Sequence, residues 1–207
     1  MNSNDLSTKE KIMLAIQTYN KYSKIYAEYT SVKLLQFQLA KFVSLLPEKG
    51  KVLDAGCGAG RDSDYLAEEG LDVVSVDLSD GMIEEAKKNN VNAINMDLLN
   101  LELSPESFDG VWCMATLADI PKTEANNFFN NMKKILKREG VLYIAVKEGD
   151  GESLIEKERY GNMPRFYAFY KKKELEDLLL SNGFEIIELV QSNDEGTEWL
   201  EVFARKL

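Results

Sequence analysis

From position 51 onward, short apolar runs alternate with stretches whose apolar residues recur every three or four positions. KVLDAG, DVVSVD, NAINM, FDGVWCM and GVLYIAV have the length and the Val, Ile and Leu content of strands. RDSDYLAEE, DGMIEEAKKNN and TEANNFFNNMKKILKRE lie between them and carry helical spacing. Such alternation predicts βαβ units and a parallel sheet covered on both faces. VVSV and VLYIAV are nearly all apolar, as strands buried on two sides should be.

The flanks read differently. Ser7-Thr8-Lys9-Glu10 has the form of a capping box, so a helix is expected to start there. Ile12, Ile16, Tyr19, Tyr22, Tyr26 and Tyr29 then recur at helical spacing. Val32, Leu35, Leu39, Phe42 and Leu46 continue the period in a second helix, stopped by Pro47 and Gly50. At the other end the helix KKELEDLLLSNG is followed by FEIIELVQ and EWLEVFARK. The linker Ser192–Gly196 is too short for a parallel crossover, so these two runs are expected to form an antiparallel hairpin.

Gly56, Gly58 and Gly60 fall where the first strand turns into a helix, and Asp77 ends the second strand 17 residues after Gly60. Glycines there allow a tight turn and let a ligand approach backbone amides. An acid about 20 residues beyond them can accept both hydroxyls of a ribose. The space between is therefore expected to hold an adenosine-type ligand. The dinucleotide spacing G-x-G-x-x-G/A fits poorly, since it places Arg61 or Ser63 at the third small position. Asp54 beside the loop suits a cation better than a diphosphate.

Composition narrows the chemistry. The 207 residues suit one domain and carry a net charge of −10, with 35 acids against 25 Lys and Arg. Phosphate backbones repel such a surface, which disfavours nucleic-acid partners. Lys171-Lys172-Lys173 is the one tight basic cluster and reads as a solvated helix start. No run approaches the roughly 20 apolar residues of a membrane span. MNSNDLSTKEK lacks a signal-peptide layout, so a cytoplasmic protein is expected. There are two cysteines and no histidine, which excludes Cys/His zinc sites and histidine-based acid–base catalysis. Cys57 and Cys113 are expected to be reduced and on neighbouring strands.

Val52-Leu53-Asp54-Ala55-Gly56-Cys57-Gly58-Ala59-Gly60 resembles the first motif of the class I S-adenosylmethionine-dependent methyltransferases. Asn95-Met96-Asp97-Leu98 and Phe108-Asp109-Gly110-Val111-Trp112 resemble the motifs of that family's third and fourth strands. Leu136-Lys137-Arg138-Glu139-Gly140-Val141-Leu142 resembles its L-x-P-G-G-x-L turn, with Arg138 and Glu139 replacing the Pro and one Gly. Tyr19-Asn20-Lys21-x-Ser23-x-x-Tyr26 resembles the Y-D-x-x-A-x-x-Y segment before the first strand of many small-molecule members. The resemblance implies a Rossmann-like, doubly wound α/β fold. Its seven-stranded sheet would be mostly parallel, with an antiparallel last strand and N-terminal helices in front. It implies one methyltransferase domain over 1–207: a helical cap at 1–50, a cofactor core at 51–148, a lid or insert at 149–170, and a helix with the terminal hairpin at 171–207.

The resemblance also implies S-adenosyl-L-methionine as cofactor, with Asp77 on the ribose and Asp97 on the adenine amino group. The full cofactor set is Tyr19, Asp54, Gly56, Cys57, Gly58, Arg61, Asp77, Leu78, Met82, Asp97, Leu98 and Met114, with no metal. Tyr19 either contacts the cofactor or packs on the sheet; Tyr22, Tyr26 and Tyr29 are expected to pack. The expected reaction is direct displacement onto a small-molecule acceptor. Thr116-Leu117-Ala118-Asp119-Ile120-Pro121 resembles a family segment that often carries His where Asp119 stands. Asp119 is then the expected proton acceptor, with Tyr167 next, and a helix-capping role for Asp119 competes equally. Arg165–Tyr170 reads either as part of a mobile lid or as an edge strand. An acidic rim would favour a cationic or neutral acceptor. Three alternatives stand beside this reading: a tRNA wobble-uridine-type methyltransferase, a non-catalytic S-adenosylmethionine-binding protein, and a nicotinamide oxidoreductase.

Overall fold

The computed structural model describes residues 5–194 and 196–207. Five strands of the central sheet follow the expected runs: β1 Lys51–Ala55, β2 Asp72–Asp77, β3 Ile94–Asn95, β4 Phe108–Met114 and β5 Leu136–Lys147. A small hairpin, β6 Glu152–Ile155 and β7 Arg165–Ala168, precedes the terminal strands β8 Phe184–Asp194 and β9 Thr197–Lys206. The helices are α1 Thr8–Thr30, α2 Gln36–Ser44, α3 Arg61–Glu68, α4 Asp80–Lys88, α5 Ala125–Ile135 and α6 Lys172–Ser181. The seven-stranded sheet runs β3-β2-β1-β4-β5-β9-β8, parallel throughout except for β9, which pairs antiparallel with both neighbours.

The chain builds outward from β1 to β3, then returns to place β4 on the other side of β1. That reversal opens a crevice beyond the carboxyl ends of β1 and β4, where ligands bind in open α/β sheets. Side-chain alternation divides the core around it. On β5, Val141, Tyr143 and Ala145 pack with Leu39, Phe42 and Trp112 under α2, whereas Leu142, Ile144 and Val146 pack with Phe128, Phe129 and Met132 of α5. Trp112 and Tyr143 face each other across β4 and β5 and stack at 3.9 Å between centroids.

Three expectations change in the structure. The third strand shrinks to two exposed residues, Ile94 and Asn95. The second helix begins at Gln36, leaving Val32 largely exposed and Leu35 as its N-cap. The 149–170 segment is partly a buried hairpin: all four residues of β7 are buried, and Glu152 to Ile155 pair with Ala168 to Arg165. Both cysteines are free and buried on or beside adjacent strands, but they belong to different packing clusters. Burial pushes the Cys113 thiol up to about 12.

The capping box forms as read, with Ser7 N–H donating to Glu10 at 2.8 Å. From there α1 crosses the carboxyl ends of the strands and packs on the start of α4. Asn20 Oδ1 accepts from Ser79 Oγ at 2.7 Å and from Gly81 N–H at 2.9 Å. A Cβ on Gly81 would lie 2.8 Å from Asn20 Cα, a backbone atom that cannot yield cheaply. Gly81→Ala is therefore expected to destabilise the protein by about 1–3 kcal/mol through overpacking, despite alanine's better helix propensity. Urea denaturation checks the sign; a more stable variant would show that the helix contact is not held this tightly.

Candidate functional site

The glycine loop is braced by the strand beside it. Gly56 and Cys57 N–H both donate to Val76 O at 2.9 Å. Gly56 sits at φ +83°, and a Cβ there would meet the Thr116 hydroxyl at 2.1 Å. At Gly58 an added Cβ meets nothing but Met82 Cε, at 3.6 Å, so space lies open over the loop. The Asp77 carboxylate accepts from Gly58 N–H and from Ser79 N–H, each at 2.9 Å. Burial raises its pKa, and these two amide bonds act against the rise. Asp97 closes a turn by accepting from Leu99 N–H at 2.9 Å and Asn100 Nδ2 at 2.7 Å.

Asp54 is buried at the end of β1, where Ser63 Oγ donates to it at 2.5 Å. Burial, and then the nearby Asp62, push its carboxyl up to about 7. Arg61 is fixed by its own neighbours: Nε donates to Asp62 at 2.7 Å and Nη1 to Thr30 O at 2.9 Å, which ties α3 to the end of α1.

Two cavities meet at this loop. The first, about 110 Å³, is bounded by Gly56, Gly58, Asp77, Leu78, Met82, Asp97, Leu98 and Met114, and α1 roofs it with Ile12, Ile16 and Tyr19. The second, about 330 Å³, shares Gly56, Gly58, Met114 and Tyr26 and extends past Asp54, Cys57 and Arg61 to Tyr167. Every candidate residue named from sequence lines one cavity or the other, Asp119 facing the first and Tyr167 the second. Ala115 lines both and holds φ +62°, a strained position for a residue with a side chain.

A buried ion pair forms the wall between the cavities. Arg165 Nε and Nη2 donate to the two oxygens of Asp119 at 2.9 and 2.7 Å, and Tyr19 Oη donates to Asp119 Oδ2 at 2.9 Å. The Arg165 guanidinium also lies over the rings of Tyr19 and Tyr167, at 4.2 and 4.5 Å. Asp119, expected as an open proton acceptor, thus has both oxygens engaged. Burial raises the Tyr167 hydroxyl far above its ordinary range, so it stays protonated.

The rim of the second cavity differs from the acidic one expected. Lys33, Arg61, Lys147, Lys157, Arg159 and Arg165 line it, and its acids are already engaged. Asp54 is held by Ser63, Asp62 by Arg61 and Trp112, Asp194 by Lys33, and Glu201 by Tyr143 and Ser192. Net charge says little about one concave surface, because most of the 35 acids lie elsewhere. Tyr26, expected only to pack, lines both cavities and meets Tyr19 edge to face at 5.0 Å. Sequence reasoning missed Asn20, Ala115, Lys147, Lys157 and Trp199. The roof residues Ile12 and Ile16 were visible as one helical face, but what that face covers was not.

Among the described residues no helix is long and apolar enough to cross a membrane, and no cluster of His, Cys, Asp and Glu could hold a metal ion. A family model described as a methyltransferase domain matches residues 52–140, from the first strand to the turn before the fifth strand's apolar run. A ubiquinone biosynthesis O-methyltransferase of Coxiella burnetii is 34% identical over 47% of this chain and 44% of its own length. A malonyl-[acyl-carrier protein] O-methyltransferase of Herminiimonas arsenicoxydans is 28% identical over 81% of this chain and 66% of its own. The matches to the first curated relatives span only about half of those proteins' lengths. The crystal structure of a Burkholderia thailandensis 1,6-didemethyltoxoflavin-N1-methyltransferase superposes with a TM-score of 0.74 at 22% identity, covering 97% of this chain and 91% of that one. The glycine loop, the acid ending β2 and strands β2 to β4 all fall within the stretch that matches the methyltransferase-domain model, and the sheet order is that of the superposed methyltransferase structure.

Proposed function

We propose that this protein binds S-adenosylmethionine and transfers its methyl group to a small-molecule acceptor. The observation that carries the reading is the paired cavity: a smaller half against Asp77 and a larger half reaching Tyr167 meet over a loop that leaves backbone space at Gly58. Relatives named as methyltransferases with small-molecule acceptors support it.

The donor set fits the cofactor. Asp77 offers carboxylate oxygens at the edge of the first cavity, beside the apolar walls of Leu78, Met82 and Leu98 that suit a purine. Asp97 stands on the same wall, and Asp54 and Arg61 lie at the glycine loop toward the second cavity, where an amino-acid tail would extend. When bound, the cofactor supplies an electrophilic methyl on a cationic sulfur. What the chain contributes is alignment and dryness. Met114, Ala115 and Tyr26 stand where the cavities join, and the α1 roof covers the first from solvent. Asp119 and Arg165 hold Tyr19 and Tyr167 on either side of that junction. In this reading Asp119 positions its neighbours and does not accept a proton.

Titration calorimetry with S-adenosylmethionine, S-adenosylhomocysteine and NAD tests the assignment. The first two are expected to bind and NAD is not; the reverse would overturn it. Asp77→Ala is expected to weaken S-adenosylhomocysteine binding by about 1–3 kcal/mol, through lost charge-assisted hydrogen bonds and a loosened glycine loop. Unchanged affinity would remove Asp77 from the site.

Asp119→Asn leaves Arg165 buried without a counter-charge, so it is expected to cost about 3–5 kcal/mol of stability, with recovery of part of it on adding Arg165→Met. Chemical denaturation of the single and double variants checks this. A single variant as stable as the parent would show that the wall does not depend on the pair.

The Asp54 carboxyl gives a pH signature. Its folded value of about 7 lies above the ordinary 3.8, so the native state holds a proton that the unfolded state has lost between those limits. Stability from this group therefore falls as pH rises toward 7 and is level above it. Asp54→Asn is expected to gain more over the parent at about pH 8 than at about pH 5, by urea denaturation. An equal gain at both would mean that Asp54 is ionised throughout.

A further inference from the structure

The far end of the second cavity carries two cations that nothing nearby neutralises. Lys147 ends β5 and Lys157 lies in the loop after β6, and their amines contact each other. Neither has a carboxylate partner among the described residues, whereas Arg165 has Asp119 and Lys33 has Asp194. Burial, then Lys157 and Arg165, lower the Lys147 amine to about 8, and Asp119 acts weakly the other way. Two like charges crowded into a part-buried recess repel each other and lose hydration, an arrangement that an entering anion relieves.

The walls beside them are flat. Lys147 pairs with Trp199 across β5 and β9, and its amine lies 4.8 Å from the Tyr167 centroid and 5.8 Å from that of Trp199. The Lys157 amine lies 5.8 Å from the same Tyr167 centroid. Aromatic faces set around a cationic spot suit a planar ring that bears an anionic substituent. The position is also apart from the cofactor's expected tail: Asp54 and Arg61 stand at the glycine loop, while Tyr167 and Trp199 belong to β7 and β9.

We propose that the methyl acceptor is an aromatic small molecule carrying an oxyanion, carboxylate or phosphate, which seats between Lys147 and Lys157 with its ring against Tyr167 and Trp199. The proposal rests on the methyltransferase reading and adds the acceptor's chemical class. It replaces the cationic or neutral acceptor expected from the net charge.

The test is calorimetric, on the full chain saturated with S-adenosylhomocysteine, using 3-hydroxybenzoate, phenyl phosphate and the uncharged 3-hydroxybenzamide as probes. At least one anion is expected to bind about ten-fold or more tightly than the amide, and which one binds identifies the oxyanion. Lys147→Met and Lys157→Met keep the apolar stems and remove the charges. Each is expected to weaken the anion about ten-fold while S-adenosylhomocysteine affinity, which also reports the fold, stays at the parent value. Amide binding equal to that of the anions, or no binding of either anion, overturns the proposal and leaves the methyltransferase reading standing. So does a loss of S-adenosylhomocysteine affinity in the lysine variants, which would assign these cations to the cofactor. Failure of S-adenosylhomocysteine to bind the parent overturns both, and is seen before any probe is added.

Discussion

A buried charge pair links the walls of the two cavities, Asp119 lining the first and Arg165 the second. Arg165 comes from β7, Asp119 from the short 3₁₀ turn after β4, and Tyr19 from α1, and the three meet through hydrogen bonds of 2.7 to 2.9 Å. Removing these charges from water is costly unless each is matched, and here both carboxylate oxygens and the tyrosine hydroxyl are satisfied. The consequence is geometric. Three segments distant in sequence are registered against one another at the place where donor and acceptor would meet.

That registration works because the rest of the fold supplies rigid supports. Asn20 fixes α1 to the N-terminus of α4 by accepting from Gly81 N–H and from Ser79 Oγ, the same Ser79 whose amide Asp77 braces. The Asp77 brace on Gly58 then couples the roof helix to the floor loop through one strand end. On the opposite side Glu201 accepts from Tyr143 and Ser192, so the strand carrying Trp199 is held to β5 and β8 by side chains as well as by its ladder.

The sheet and its glycine loop were legible because they depend on local signals: apolar runs of strand length, glycines where φ must be positive, an acid at a strand end. The terminal hairpin followed from one linker length. What escaped was set by partners far along the chain. Asp119 looks like an open carboxylate until Arg165, 46 residues later, is seen bonded to it. Lys147 is one more residue at a strand end until Lys157 and Trp199 converge on it. The buried β7 was ambiguous for a different reason: Arg165-Phe166-Tyr167-Ala168 alternates, but an arginine inside is stable only with a partner the pattern cannot reveal. The acidic total misled about the cavity because a sum over the chain carries no positions.

The place of β9 has a bearing on how the chain assembles as it is made. The strand lies between β5 and β8 in space but follows both in sequence. When β8 leaves the ribosome, its site beside the sheet does not yet exist, and the edge of β5 is open along its apolar length. Both edges are satisfied together when β9 threads between them, and the second cavity, with Trp199 in its wall, is complete only once that strand is in place.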